Sequence, residues 1–462
     1  MLRWIIGCAL PAVYCAGGAV AQERAPSTDQ LLEQLRRLNE RVEGLEVRHE
    51  ADQQRILNLE ARLQQIEDGA TDQKQQKPDT ERQTAETSPP APKAPPGPFD
   101  LSASGLGAAN AYNPQMTVFI DTGGSLSSKG SNKALNRFNL REVELDLRAA
   151  ISPQADGVLV LAIPEEIESG PDGDIEISRS LEIEEAFVNF HTFPHDTALK
   201  FGKFRSPFGR NNLLHTHDLP QVTRPLALQA FLGPEGLSST GASFSWLVPN
   251  PWDQYVELTA EIINADGGEE APILGGPNAD NPALLTHLKL FRDVAVTSSI
   301  EAGATYLYTH TTEDHEFDAN VFGLDAAYTW THPDPGKFRS FLLQGEVYYA
   351  RNDLVHAWFG PTRNSSLGAY AFAQYQLDRD WYVGLRGDYT EFPNSASRRS
   401  DDWDAAFSPY LTWYVTEFLR LRIEYQHRLR EIVGDHDSEE ALSLQLTGVF
   451  GSHPAHPYWV HR

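Results

Sequence analysis

Cysteine is nearly absent from this chain of 462 residues: Cys8 and Cys15 are the only two. Both fall in MLRWIIGCALPAVYCAGGAVAQ, where one early arginine, an apolar run from Trp4 to Tyr14 and the small-residue pattern Ala19-Val20-Ala21 read as a signal peptide over 1–21. The chain beyond it carries no thiol, which excludes disulfides, thiolate metal sites and a cysteine nucleophile. Long apolar runs are missing as well. No stretch after the signal reaches the ~18 apolar residues that a transmembrane helix needs. An excess of positive charge is missing too: 38 Lys and Arg stand against 64 Asp and Glu, a net charge of −26, which argues against nucleic acid as a partner. There is no GxSxG, no HExxH and no carboxylate pair in a setting that would perturb its pKa, so the chain does not read as an enzyme.

What is there begins with a helical repeat. Leu31, Leu35, Leu38, Val42 and Leu45, then Ile56, Leu59, Leu63 and Ile66, step by four and three, with Glu, Arg and Gln between them. A 3.5-residue apolar period predicts a coiled coil over 27–67, and such a stripe needs a partner to cover it. Residues 68–98 are polar and end in PPAPKAPPGP; they lack the apolar side chains that would offset the entropy of ordering and are read as a disordered, partly polyproline linker.

From Phe99 onward the period changes to two. Val143, Leu145, Leu147, Ala149 and Ile151 alternate with Glu142, Glu144, Asp146 and Arg148; Leu419, Leu421, Ile423 and Tyr425 alternate with Arg420, Arg422, Glu424 and Gln426. Segments of this kind recur between clusters of Asp, Asn, Gly and Pro. A soluble sandwich also alternates, but one of this length would divide into several domains, and no boundary follows residue 99. The pattern predicts an all-β transmembrane barrel of about 16 antiparallel strands over 99–462, preceded by the α-helical coiled coil, with a water-filled lumen and aromatic girdles. Tyr306, Tyr308, Tyr328, Trp330, Trp381, Tyr389, Trp403, Phe407, Trp413 and Tyr414 lie mainly toward strand ends and supply those girdles. A mean hydropathy of −0.42 suits apolarity spread over alternate positions.

One stretch breaks the rhythm. After a strand-like Thr197–Arg205, Pro207 and Gly209 end the strand, and some thirty residues pass before the pattern resumes. Loops this long usually carry function. This one holds Leu213, Leu214, Leu219, Leu226, Leu228, Phe231 and Leu232, so it must pack on something, and it is read as a constriction loop, 206–238, folded into the barrel. Lys203, Arg205, Arg210, His215, His217, Asp218 and Arg224 are the expected constriction residues; Glu142, Glu144, Asp146, Arg148, Arg386, Arg420, Arg422, Arg428 and Arg430 are the expected lumen charges. Opposed charges across a pore set up a transverse field that admits small polar solutes.

The run Phe201-Gly202-Lys203-Phe204-Arg205-Ser206-Pro207-Phe208-Gly209, with NNLLHTHDLP, RPL and GPEGLSSTG after it, resembles outer-membrane porins of the phosphate-selective O and P type, in the branch with an N-terminal coiled coil whose members are sometimes labelled zinc-regulated or TonB-dependent receptors. The resemblance implies a homotrimer in outer-membrane lipid, a loop that narrows the pore near Lys203, Arg205 and Arg210, and passive passage of small polar or ionic solutes, with the coiled coil in the periplasm. Inward faces here mix Glu142, Glu144, Asp146, Glu257 and Glu261 with arginines, so a general or weakly selective channel is expected rather than a phosphate-specific one. A plugged, TonB-driven barrel needs about 22 strands, more than this chain supplies. The assembly signal that closes the final strand is expected at Phe450 or Tyr458.

Histidine suggests two further readings. His215, His217 and Asp218, and His310, Asp314 and His315, offer imidazole and carboxylate ligands suited to Zn²⁺, the one cofactor considered, and so a metal-linked uptake channel or receptor. The other is an envelope tether, in which the coiled coil grips a periplasmic or cell-wall partner and the barrel is its anchor.

Overall fold

The computed structural model describes residues 114–129, 136–169, 175–264, 282–310, 318–356, 360–393, 402–432, 434–452 and 457–461. The signal peptide, coiled coil and linker expected before them lie outside the described residues. Alternation of apolar and polar side chains produces strands throughout, joined in antiparallel neighbours: β1 (Gln115–Ser127), β2 (Phe138–Ser152), β3 (Ala155–Ser169), β4 (Ile175–Arg179), β5 (Glu182–Phe193), β6 (Thr197–Arg205), β7 (Ser238–Leu247), β8 (Tyr255–Asn264) and β9 (Pro282–Ala295) form one half. The other half is β10 (Ser298–His310), β11 (Asp318–Thr331), β12 (Ser340–His356), β13 (Gly360–Gln376), β14 (Trp381–Glu391), β15 (Trp403–Thr416), β16 (Leu419–Ile432) and β17 (Asp435–Gly451).

The sheet closes on itself, β1 pairing with β2 on one side and with β17 on the other, from Thr117 opposite Gly451 to Ser127 opposite Ala441. β4 and β5 occupy a single place in the wall: both pair with β3, and only Ser180 and Leu181 interrupt them. The barrel therefore has 16 antiparallel strands. Closure leaves no unpaired edge.

Strands such as β2 and β16 sort their side chains by chemistry. On β16, Arg420, Arg422 and Glu424 are buried inside, while Ile423 and Tyr425 are exposed outside. Glu142, Glu144 and Asp146 on β2 are likewise inward and buried. The exterior is an apolar belt including Leu284, Leu324, Leu343, Leu385, Leu429 and Leu444. Aromatic pairs sit toward both ends of it: Trp381 stacks on Trp413 at 5.3 Å near the turn that joins β13 to β14, and Tyr389 on Trp403 at 6.4 Å near the opposite end of β14. Tyr414, expected in that girdle, is instead buried within the barrel against Tyr382, because it shares the inward row with Arg420.

The two ends differ. At one end no connection exceeds the eight residues between β11 and β12, and β2 to β3, β5 to β6, β9 to β10, β13 to β14 and β15 to β16 take two to four; the other end has short connections at β12 to β13 and β16 to β17 but also the 32-residue loop 206–237. Gly202 has φ +132° and lies against the Ala186 carbonyl across the β5–β6 pair, an approach that a side chain there would block. β17 ends at Gly451 with Phe450 exposed on the outside. Of the two expected closing residues Phe450 alone is on the wall; Tyr458 has turned into the lumen.

Candidate functional site

The loop leaves β6, crosses the lumen and is received by strands on the far side. Its apolar load explains the crossing: Leu219, Leu228, Phe231 and Leu232 are fully buried, and the short helix α1 (Leu226–Leu232) packs on β12, β13, β14 and β15. Phe208 stacks on Tyr348 of β12 with ring centres 5.5 Å apart. Loop backbone withdrawn from water must still find partners, and the wall supplies them with full charges. Glu346 on β12 accepts from the backbone N–H of Arg210 and of Asn211, both at 2.8 Å. Glu424 on β16 accepts from the N–H of Val222 at 2.7 Å and of Thr223 at 3.2 Å, and Asp388 on β14 from that of Leu226 at 3.1 Å.

Arginines do the same for the carbonyls. Arg422 donates to the carbonyls of His217, Leu219 and Gln221, the first at 2.8 Å and the last at 2.6 Å, and Arg420 donates to that of His217. Arg386, fully buried, donates to Thr223 and to Asp388 at 2.7 Å. These three arginines, expected as lumen charges, face inward and clamp the loop, since a buried guanidinium must spend its donors on acceptors. The base of the loop is closed by Asn212, which donates to the carbonyls of Ser206 and Leu237 at 2.8 and 2.9 Å.

The remaining expected residues divide. Arg205 is buried and donates to the Glu235 carbonyl at 2.6 Å and to Glu184 at 3.0 Å; Arg224 is buried, donates to Thr216 at 3.2 Å, and is pulled down to about 10 by burial. Arg210 lies 3.8 Å from the Tyr458 ring centre and 3.5 Å from Glu301. Arg148 pairs with Asp146 at 2.7 Å, and Arg428 with Asp404 at 2.9 Å, where Arg430 joins at 3.3 Å. Lys203 does not reach the narrowing. It sits opposite exposed Thr240 and two positions after exposed Phe201, on the outward row, because a strand period of two cannot send Lys203 and the buried Phe204 to the same side.

His215 and His217 face an acidic patch on β2 and β5. His215 Nδ1 pairs with Glu184 and stands 3.4 Å from Glu144, and its Nε2 is 3.2 Å from Glu185; His217 Nδ1 is 3.3 Å from Glu144, and its Nε2 3.6 Å from Asp218. The two rings stack 5.8 Å apart, and His217 lies on Phe119 at 3.9 Å. Burial works against the imidazolium of His217, but Glu144 and Asp218 outweigh it and raise the group to about 9. His215 is raised well above its ordinary range in the same way: burial lowers it, and Glu144 and Glu184 more than restore it against Arg205. His310 is not part of this group; it pairs with Asp318 across the β10–β11 hairpin at 3.0 Å. Asp314 and His315 lie outside the described residues.

A second intruder was not anticipated. Residues 457–461, beyond the last strand, enter the lumen from the end where the short turns lie and pack beneath the loop. Trp459 is 1 % exposed, in contact with Tyr382, Tyr414 and Arg420, and its Nε1 donates to the Asp218 carbonyl at 2.8 Å. Tyr458 donates to Gln344 at 2.6 Å, and Gln374 and Gln376 donate to the carbonyls of Trp459 and His461. Burial lowers His461 from its ordinary range. The available signal in the sequence was the aromatic pair Tyr458-Trp459 placed after a strand had already closed. Between the loop and β1, β2 and β17 there remains a cavity of about 310 Å³, lined by Asn139, Arg141, Thr216, Arg224, Glu235 and Ser443 among others.

No protein-family model matches the chain. It is 29% identical over 350 residues to an uncharacterized protein of Aquifex aeolicus (strain VF5), a match covering 70% of each chain. Among solved structures it is similar to the outer membrane channel DcaP of Acinetobacter baumannii, with TM-score 0.48 and 12% identity over 73% of this chain and 96% of that one. It is also similar to a loop-deletion mutant of OmpT, an outer membrane protein of Vibrio cholerae, with TM-score 0.47 and 11% identity over 74% of this chain and 100% of that one. An anion-selective porin from Comamonas acidovorans aligns with TM-score 0.46 and 10% identity, over 73% of this chain and 99% of that one.

Proposed function

We propose that this chain is an outer-membrane diffusion channel for small polar or ionic solutes, narrowed inside by its own loop and by the segment after β17. One observation carries the reading: around the closed wall, apolar side chains such as Ile423, Leu429 and Leu444 face out while Glu144, Arg386, Arg422 and Glu424 face in. An apolar exterior between two aromatic rows suits lipid, and a charged interior suits water. The end with short turns is the periplasmic one by the same principle, which puts residues 457–461 on that side and the origin of the loop on the outer side.

The solute class follows from the space that is left. The cavity beside the loop presents Arg141 and Arg224 with Glu235, charges of both signs, and favours small hydrated solutes without strong preference between anions and cations. The protomers assemble as a homotrimer, in keeping with the self-association expected of the coiled-coil sequence. Purified chain reconstituted in planar bilayers tests this: discrete conductance steps with weak ion selectivity, and liposome swelling that falls with solute size, are the expected results. A chain that dissolves without detergent as a compact monomer and conducts nothing overturns it.

A further inference from the structure

Glu142 and Glu144 project inward from alternate positions of β2, and the turn Thr216–Asp218 of the loop brings His217 down onto them. One ligand atom from each of the three lies within 4.8 Å of the other two, and all three residues are buried. A second triad, Glu144, Glu184 and His215, shares Glu144. The two triads are not equivalent. Glu184 has Arg205 and His215 as partners, and both nitrogens of His215 are engaged. In the first triad, Oε2 of Glu144 and Nδ1 of His217 are out of reach of water and make no hydrogen bond, although they face each other at 3.3 Å. Among the described residues no lysine or arginine stands at ion-pair distance from Glu142 or Glu144. Two carboxylates and an imidazole nitrogen thus converge on one buried point, where Glu144 and His217 meet as an ion pair but make no hydrogen bond.

We propose that Glu142, Glu144 and His217 bind a divalent cation of the zinc class, which pins the loop to the barrel wall. The donor set favours it: one imidazole with two carboxylates suits Zn²⁺ or Co²⁺, whereas Mg²⁺ and Ca²⁺ prefer all-oxygen shells. Phe119 fixes the imidazole by stacking on it, which leaves the ring edge turned to Glu144. The site adjoins the cavity beside the loop, for Thr216 lines that cavity and is the neighbour of both histidines. Asp218, proposed from the sequence as a ligand, is not needed; His310 takes no part.

The test uses the full chain in detergent and the metal alone. Calorimetry with ZnCl₂ is expected to give one tight site per chain, weakened about tenfold or more by His217→Gln or Glu144→Gln and unchanged by His310→Gln. Because a buried substitution can impair folding, CoCl₂ added to the unaltered chain supplies an independent readout: the visible bands of low-coordinate cobalt appear, and zinc removes them. Absence of those bands, or zinc heats equal in the unaltered and His217→Gln chains, overturns the proposal. Neither result bears on conduction, which is measured separately.

Discussion

The indole nitrogen of Trp459 donates a 2.8 Å hydrogen bond to the backbone carbonyl of Asp218, joining residues 241 positions apart. One belongs to the segment beyond the last strand and the other to the crossing loop, so two intruders from opposite ends of the barrel meet at its centre and brace one another. Fully burying a tryptophan is among the larger single contributions a side chain makes. The loop's position is therefore set from three sides: by Glu346 on β12, by the charges of β14 and β16, and by the segment below.

Removing residues 453–462 is expected to widen the path. Single-channel conductance should rise, although the crossing loop still narrows the lumen, while the heat-modifiable gel shift of the folded barrel persists. Trp459→Ala should move conductance the same way, since truncating a buried tryptophan costs about 3–5 kcal/mol, a large sum for so short a segment. Equal conductance in the intact and shortened chains removes the segment from the conduction path.

Acidity should release the same segment. His461 is neutral when docked, because burial lowers it from its ordinary range. A released segment regains the ordinary value and binds a proton more readily, so docking weakens as pH falls below about 6.5. Conductance of the intact chain is expected to climb between pH 7 and 5, and the climb should be smaller in the chain lacking residues 453–462 and in His461→Phe. The difference between the chains isolates the segment from other titrating groups.

Glu424→Ala should loosen the loop without opening the wall. It leaves the N–H groups of Val222 and Thr223 without their carboxylate, at about 1–3 kcal/mol for each unsatisfied donor. Chymotrypsin cleavage after Phe231, fully buried in the intact protein, is the measurement: faster cleavage with a preserved barrel is expected.

Charge-neutralising substitutions should separate inner from outer cations. Lys203→Gln is expected to leave the reversal potential unchanged, because Lys203 lies on the outward row. Arg141→Gln should shift it toward cations, since Arg141 lines the cavity that remains. A shift with Lys203→Gln and none with Arg141→Gln would relocate the path.

The barrel was legible in the sequence because its information is local. A period of two, repeated on β2 and β16 with Glu, Asp and Arg on one parity and Val, Leu and Ile on the other, states which face is wet, and closure follows from repetition. The crossing loop was legible for a similar reason: seven large apolar residues among thirty cannot stay in solvent. What each inward charge does was not legible. Arg420 and Arg422 look the same in sequence whether they line water or grip His217, Leu219 and Gln221, and the choice is made by chain more than 200 positions away. Lys203, one position before Phe204, illustrates the converse error, because proximity to a motif does not decide a side of the sheet.

The sequence alone determined the wall, the sorting of its two faces and the existence of an inward loop, because alternation and apolar load act at short range and need no partner to be specified. Tertiary structure alone decided that the lumen is crossed from one side and entered by Trp459 from the other, and that His217 meets Glu142 and Glu144. Those contacts depend on backbone groups that must find partners once withdrawn from water, and only the closed barrel brings the partners within reach.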